Sequence, residues 1–267
     1  MTLEVAITTD ISYGPDERHV FDLCRPEGVE EPPIVVYLHG GGFVRGDKSA
    51  PEGKARIAGL ASRGVAVAAA NYRLAPGATY PAQILDAKTL VCFLRSNGSQ
   101  WGVATGKVGI WGVSAGGYIA SMVGLTDGDP ELSPPDGNTK VDAVASWFAP
   151  LALRATMSRS WVEQIVLGDG PETAMLGEQD DESRLRLAEQ ASPVNRVHPD
   201  APPFLLAHGD QDKLVNSHQS QILHEALTLA GASSTLVYLG GEGHEGVGFD
   251  EPQSLAMTAA FFATRLE

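Results

Sequence analysis

The chain has 267 residues, of which 43% are hydrophobic and 19% charged, the composition of a soluble globular protein with a sizeable core. Nineteen basic residues against thirty-three acidic ones leave a net charge of −14 with no basic cluster to offset it, which sets the surface against nucleic acid and anionic lipid. No window approaches the ~18 uninterrupted apolar residues of a membrane span. The first residues, Met1 to Ala6, carry neither the basic nor the apolar segment of a secretory leader, so a cytoplasmic location is expected. Cys24 and Cys92 are accordingly expected to be buried free thiols.

Residues 3–9 and 19–24 alternate imperfectly and are expected as strands, separated by the turn-rich Tyr13-Gly14-Pro15-Asp16. Residues 33–38 form a continuous apolar run of the kind that fills a central parallel strand. A helix over about 52–63 stops at Gly64, and a buried strand over 65–70 follows. Pro81 suits the first turn of a helix that ends near Asn97. Residues 107–111 read as a strand entering a glycine-rich turn, followed by a small-residue helix over 115–125 and a strand over 141–148. After Pro150 the rhythm breaks into short helical pieces at 160–167 and 182–190, with the acidic run 178–182 between them. It resumes with a strand at 203–207, an amphipathic helix over 217–230, a strand at 235–239 and a final helix from Pro252. This alternation predicts an α/β protein with a mostly parallel central sheet and helices on both faces. We read residues 1–267 as a single domain with a small, irregular, cap-like insertion at about 151–200.

Gly112-Val113-Ser114-Ala115-Gly116 matches G-x-S-x-G and lies between a buried strand and a helix. In that setting the pattern has a mechanical meaning: a tight strand-to-helix elbow pushes the serine hydroxyl out above the sheet, and the helix N-terminus faces developing negative charge. Ser114 is therefore the expected nucleophile. His39-Gly40-Gly41-Gly42-Phe43 follows another buried strand, and its glycines expose backbone N–H groups. Gly41, Gly42 and Ala115 are the expected oxyanion donors. A phosphate-binding loop is disfavoured because no Lys-Ser or Lys-Thr follows the glycines. His39 itself is expected to fix the loop by hydrogen bonding.

Ser114 needs a base. The histidines are at 19, 39, 198, 208, 218, 224 and 244, and His244 sits in the glycine-rich loop between the last strand and the last helix. That position is the C-terminal edge of the sheet, where α/β sites gather. For the orienting carboxylate, Asp210 and Asp212 both follow a strand; Asp212 lies further into the loop, and Asp210 is better suited to fixing the turn. The order Ser114, Asp212, His244 agrees with the hydrolase arrangement. Activity is expected to rise with pH as His244 loses its proton. Trp147, Phe148 and Trp161, with Met157 and Ile165, are expected to wall an apolar substrate pocket.

These residues resemble the α/β-hydrolase carboxylesterases, in particular the hormone-sensitive-lipase-like esterases and the feruloyl and acetyl-xylan esterase-like (BD-FAE-like) group. Further landmarks are Asn71-Tyr72-Arg73-Leu74-Ala75-Pro76, Ala191-Ser192-Pro193-Val194 and His208-Gly209-Asp210-Gln211-Asp212. The resemblance implies the α/β-hydrolase fold, the triad Ser114, Asp212 and His244, and hydrolysis of a small carboxylic ester without cofactor or metal. Arg73 and Asp86, which match family positions, are read as structural. Short acyl groups are expected, since no extended lipid-binding cap is evident. Amidases, formamidases and lactone hydrolases share this plan, although formamidases tend to carry His-Gly-Gly-Tyr-Trp where this chain has His39-Gly40-Gly41-Gly42-Phe43. A non-catalytic ligand receptor of this fold typically loses a triad member, and this chain keeps all three. One departure stands out: Glu245 follows His244 where the family usually has glycine, a small or an aromatic residue. A solvated carboxylate is expected there, with influence on His244 or recognition of a substrate cation as alternatives.

Overall fold

Among the described residues, 2–157 and 170–267 of a computed structural model, eight strands form one sheet in the order β1-β2-β4-β3-β5-β6-β7-β8. They are β1 (Val5–Ser12), β2 (Val20–Pro26), β3 (Ile34–Leu38), β4 (Ala66–Ala70), β5 (Val108–Val113), β6 (Ala143–Trp147), β7 (Phe204–Gly209) and β8 (Ser234–Leu239). β1 and β2 are antiparallel to their neighbours, and every pairing from β4 to β8 is parallel. β1 extends three residues beyond the expected strand. The register shifts between Thr8 and Ile11, where Asp10 takes φ 57°, and this bulge is what spoils the alternation in the sequence.

Residues on β3 to β7 alternate between two apolar layers, as a period of two requires. Val36, Ile110, Val144 and Leu206 face α2 (Ala82–Asn97), α3 (Ala115–Leu125) and α7 (His218–Leu229). Tyr37, Trp111, Ala145 and Leu205 face α1 (Pro51–Ala61) and α8 (Pro252–Leu266). The two helix layers therefore cover opposite faces. These central strands are fully buried, which is why they read as unbroken apolar runs. Phe262 of α8 has no exposed surface, and burial of such a side chain stabilises the fold by about 1.5–3 kcal/mol.

Between β6 and β7 stand α4 (Leu153–Met157), α5 (Pro171–Leu176) and α6 (Asp181–Gln190). The acidic run has a local purpose: Asp180 caps α6 by accepting from the Ser183 N–H, and Asp181 and Glu182 occupy the first turn, where the helix dipole favours negative charge. The helical piece expected at 160–167 lies outside the described residues. Cys24 is buried in β2, whereas Cys92 on α2 is half-buried; both are free. Among the described residues no helix is long and apolar enough to cross a membrane.

Candidate active site

Four loops leaving the C-terminal ends of β3, β5, β7 and β8 converge on one rim of the sheet. At the end of β5, Ser114 takes φ 52° and ψ −120° before α3 begins at Ala115. A non-glycine residue there carries strain of about 1–3 kcal/mol, and close packing is what holds it. A Cβ on Gly116 would sit 2.2 Å from the Leu38 carbonyl oxygen, and one on Gly112 would sit 2.1 Å from the Gly116 oxygen. The two glycines of G-x-S-x-G are therefore fixed by backbone passing directly against backbone.

The loop after β3 turns back over this elbow. Gly41 takes φ 124° and accepts from the Val44 and Arg45 N–H groups, and Phe43 anchors the loop edge-on against Tyr118. Among the described residues the N–H groups of Gly41 and Gly42 donate to no protein acceptor. The Ala115 N–H, at the first position of α3, has no intrahelical acceptor either. His39 behaves as the expected loop-fixing residue. Its ring stacks on Tyr72 at 4.4 Å, its Nδ1 lies 2.7 Å from the Gly40 oxygen, and Arg18 approaches its Nε2 at 3.4 Å. Burial, with the Arg18 charge adding to it, pushes the His39 pKa down to about 4, so the ring is neutral.

The structure brings Ser114, His244 and Asp212 together. His244 Nε2 lies 3.0 Å from Ser114 Oγ, and His244 Nδ1 lies 2.7 Å from Asp212 Oδ2. With Nδ1–H donating to the carboxylate, Nε2 is left to accept from the serine hydroxyl. The Asp212 side chain is fully buried. Its Oδ1 accepts the N–H groups of Leu214 and Val215 at 2.8 and 2.9 Å. Burial alone would raise its pKa; hydrogen bonds from His208, His244 and the Val215 N–H outweigh that and hold the carboxyl well below the usual carboxylate range. Asp210 has the expected turn role, accepting the Gly241 N–H at 2.7 Å. Arg73 and Asp86 form a structural pair: Asp86 accepts the Arg73 backbone N–H at 2.8 Å and its guanidinium at 2.6 Å, and meets His19 at 3.0 Å.

Two residues of this assembly escaped the sequence reading. His208 is fully buried at the end of β7; its Nδ1 lies 2.7 Å from Ser220 Oγ, and its Nε2 lies 2.9 Å from the Val215 oxygen and 3.2 Å from Asp212 Oδ2. One tautomer satisfies all three contacts, with Nε2–H shared between the two oxygens and Nδ1 accepting from the hydroxyl. Arg56 on α1 is also buried, held by Asp250 through Nε at 2.6 Å and Nη2 at 3.3 Å.

The expected aromatic pocket requires correction. Trp147 has no exposed surface; as the last residue of β6 it shares the face of Ala143 and Ala145 and packs edge-on against Trp111 in the core. Phe148 is equally buried, at φ 39°, and its ring meets His244 edge-on at 4.9 Å and Phe249 at 4.6 Å. It backs the imidazole and lines neither of the open spaces beside Ser114. Met157 packs against the core, and Trp161 and Ile165 lie outside the described residues. Glu245 is exposed, as expected; it takes φ 56°, and its Oε1 lies 3.7 Å from Arg56 Nη1.

Among the described residues, two lobes border Ser114. The larger, about 370 Å³, is lined by His244, Glu245, Arg56, Tyr37 and Glu52. The smaller, about 210 Å³, is lined by Ala115, Phe43, Pro150, Pro171, Glu172 and Val215. Gly41, Gly42, Arg45 and Leu214 border both. Among the described residues no cluster of histidine, cysteine or carboxylate side chains has the makings of a metal site.

With this geometry in view, the chain can be set beside known proteins. A family model, BD-FAE, matches residues 21–227. The esterase LipC of Mycobacterium tuberculosis is 30% identical over 246 residues, covering 90% of this chain and 59% of LipC. The isoprenylcysteine alpha-carbonyl methylesterase ICME of Arabidopsis thaliana is 26% identical over 259 residues, covering 92% of this chain and 58% of ICME. The chain thus spans little more than half the length of these curated relatives. Among solved structures, a truncated form of a carbohydrate esterase from gut microbiota superposes with a TM-score of 0.83 at 26% identity, covering 99% of this chain and 97% of that one. Esterase B from Lactobacillus rhamnosis shares the fold, with a TM-score of 0.77 at 23% identity, covering 97% and 88%. The sheet order, the elbow after β5 and the match over most of the sequence lead to one assignment: the chain has the α/β-hydrolase fold and belongs to the BD-FAE family.

Proposed function

We propose that this protein is a serine carboxylesterase that hydrolyses small, short-acyl esters through an acyl-enzyme. Ser114 Oγ attacks the ester carbonyl carbon while its proton passes to His244 Nε2, and Asp212 steadies the resulting imidazolium through Nδ1–H. The N–H groups of Gly41, Gly42 and Ala115 receive the oxyanion. Collapse of this intermediate breaks the C–O bond, and the alcohol leaves with the proton from His244. Water then attacks the acyl-enzyme by the same route, restoring Ser114 and releasing the acid. The observation that carries this reading is the 3.0 Å contact between His244 Nε2 and the hydroxyl of a serine held in a strained elbow.

The lobes divide the substrate. The departing alcohol takes its proton from His244, so it occupies the larger, charged lobe that His244 lines. The acyl chain then extends past Ala115 into the smaller, more apolar lobe, whose volume of about 210 Å³ suits a short chain. Pro171 and Glu172 contribute to that lobe from the segment after β6, which supports reading residues 151–200 as a small cap on a single domain. The two free thiols fit a reducing, cytoplasmic setting.

A series of 4-nitrophenyl esters of increasing acyl length tests the proposal. Acetate and butyrate should be cleaved fastest, with a sharp decline for long chains, and Ser114→Ala should lower kcat by on the order of 10⁵-fold. Full activity in that variant would end the proposal. Aryl formamides and lactones in the same assay measure amidase and lactonase chemistry, which require the same groups.

A further inference from the structure

One wall of the smaller lobe is fixed from two sides. Gly42 takes φ 59°, and a Cβ built on it would lie 3.0 Å from Pro171 Cβ and 3.3 Å from Pro171 Cγ. Both distances fall inside the ~3.5–4.0 Å of an ordinary carbon contact. The pyrrolidine ring therefore takes the space that a side chain at residue 42 would need. Phe43 O accepts the Ala75 N–H at 2.9 Å, which ties the glycine loop to the segment between β4 and α2. Farther along that segment, the Tyr80 N–H donates to Met175 O at 2.7 Å. Met175 and Leu176 bury their side chains in the core at the end of α5. Pro171 opens the same helix at its first turn, where its fixed φ and missing N–H are well suited. Glycine loop, β4–α2 segment and α5 thus form a ring of contacts that closes where it began, at Gly42.

Gly42 and Pro171 both line the smaller lobe, which on the esterase reading takes the acyl chain. The ester carbonyl oxygen then lies against the Gly42 N–H, on the residue that the ring abuts. Of the other apolar walls, Val44 and Leu214 are exposed, at 41% and 73%, and can turn into solvent. The Pro171 side chain has no such freedom, because its ring is closed onto the backbone and α5 is anchored in the core. We propose that Pro171 sets the acyl length this protein accepts, as a specificity residue that touches the acyl chain and leaves proton transfer alone. The inference rests on the esterase reading and deepens it, by giving the short-acyl preference a single physical cause.

The test is the ratio of kcat/KM for 4-nitrophenyl hexanoate to that for 4-nitrophenyl acetate, in the unmodified protein, Pro171→Ala and Pro171→Gly. A loss of fit common to all esters cancels in this ratio, so a merely structural role would not move it. The ratio should lie well below one in the unmodified protein. It should rise about tenfold in Pro171→Ala, which removes two ring carbons and admits about two more methylenes of chain. In Pro171→Gly, which removes Cβ as well, it should rise at least as far. Circular dichroism establishes that each variant is folded. A ratio that rises in neither folded variant would overturn the inference, since the ring would then serve only to brace Gly42. So would an unmodified protein that cleaves the hexanoate as readily as the acetate. Turnover with a fixed ratio refutes this inference alone, whereas no turnover of either ester by the unmodified protein refutes the esterase reading as well.

Discussion

Ser114 is held by backbone, whereas His244 is held by side chains. On the serine side, carbonyls pass so close to Gly112 and Gly116 that a methyl group has no room, and the strained φ of Ser114 is locked between β5 and α3. On the histidine side, β8 is a half-exposed edge strand, and the loop that follows depends on contacts from Asp212, Phe148 and, one step further back, His208 and Arg56. Ser114, the proposed nucleophile, is thus set by sterics local to a short motif, and His244, the proposed base, by partners gathered from β6, β7, α1 and the loop before α8. A hydroxyl that must emerge at one angle is well served by a rigid elbow. An imidazole that must accept and return a proton is served by a hydrogen-bonded support that fixes its tautomer.

Among the residues that support Ser114 and His244, the largest expected effect is on the histidine side. Asp212→Asn should lower kcat by on the order of 10⁴, because the amide no longer enforces the tautomer that leaves Nε2 free. Steady-state kinetics with unchanged circular dichroism would establish this, and a loss below about tenfold would contradict it. On the serine side the effect should instead appear in folding. Gly116→Ala drives a Cβ into the Leu38 carbonyl and should cost about 3 kcal/mol in a denaturant titration, with activity lost in parallel. A stable but inactive variant would show that the elbow tolerates movement and that the contrast drawn above is overstated.

His208→Leu sharpens the comparison. Removing the Nε2–H donor weakens the hold on Asp212 without touching the substrate, so kcat should fall about tenfold to a hundredfold with KM little changed. A change confined to KM would contradict its supporting role. A separate effect is on pH stability. His39 is neutral in the folded state with its pKa pushed down to about 4, whereas an unfolded histidine titrates near 6.5. Between those values the unfolded chain binds the extra proton, so stability is lost as pH falls through that window, by roughly 3 kcal/mol in all. Melting curves from pH 7 to 4 should show a shallower decline for His39→Gln than for the parent protein.

Much of this site was legible in the sequence. G-x-S-x-G between a buried strand and a helix, the triple glycine after another strand, and Asp212 and His244 after two more are all short-range patterns, each tied to a strand end. What was missed depends on direction rather than residue type. Trp147 looks like a pocket wall by size, yet its parity with Ala143 and Ala145 turns it to the core face carrying α1 and α8. The same parity signal was available for His208, which follows Phe204 and Leu206 onto the face where α7 supplies Ser220. Arg56 interrupts the buried stripe of Gly53, Ile57 and Leu60 on α1, and a charge in such a stripe implies a buried partner. Which partner, Asp250 or Glu245, is a matter of distance between loops far apart in the chain.

The most direct measurement is covalent labelling with a 4-nitrophenyl phosphonate, followed by mass spectrometry of the digested protein. One adduct per chain is predicted, on the peptide carrying Ser114 and abolished by Ser114→Ala, with labelling slowed strongly in His244→Ala. An adduct on another residue, or ester hydrolysis that continues while Ser114 stays unlabelled, would contradict the account.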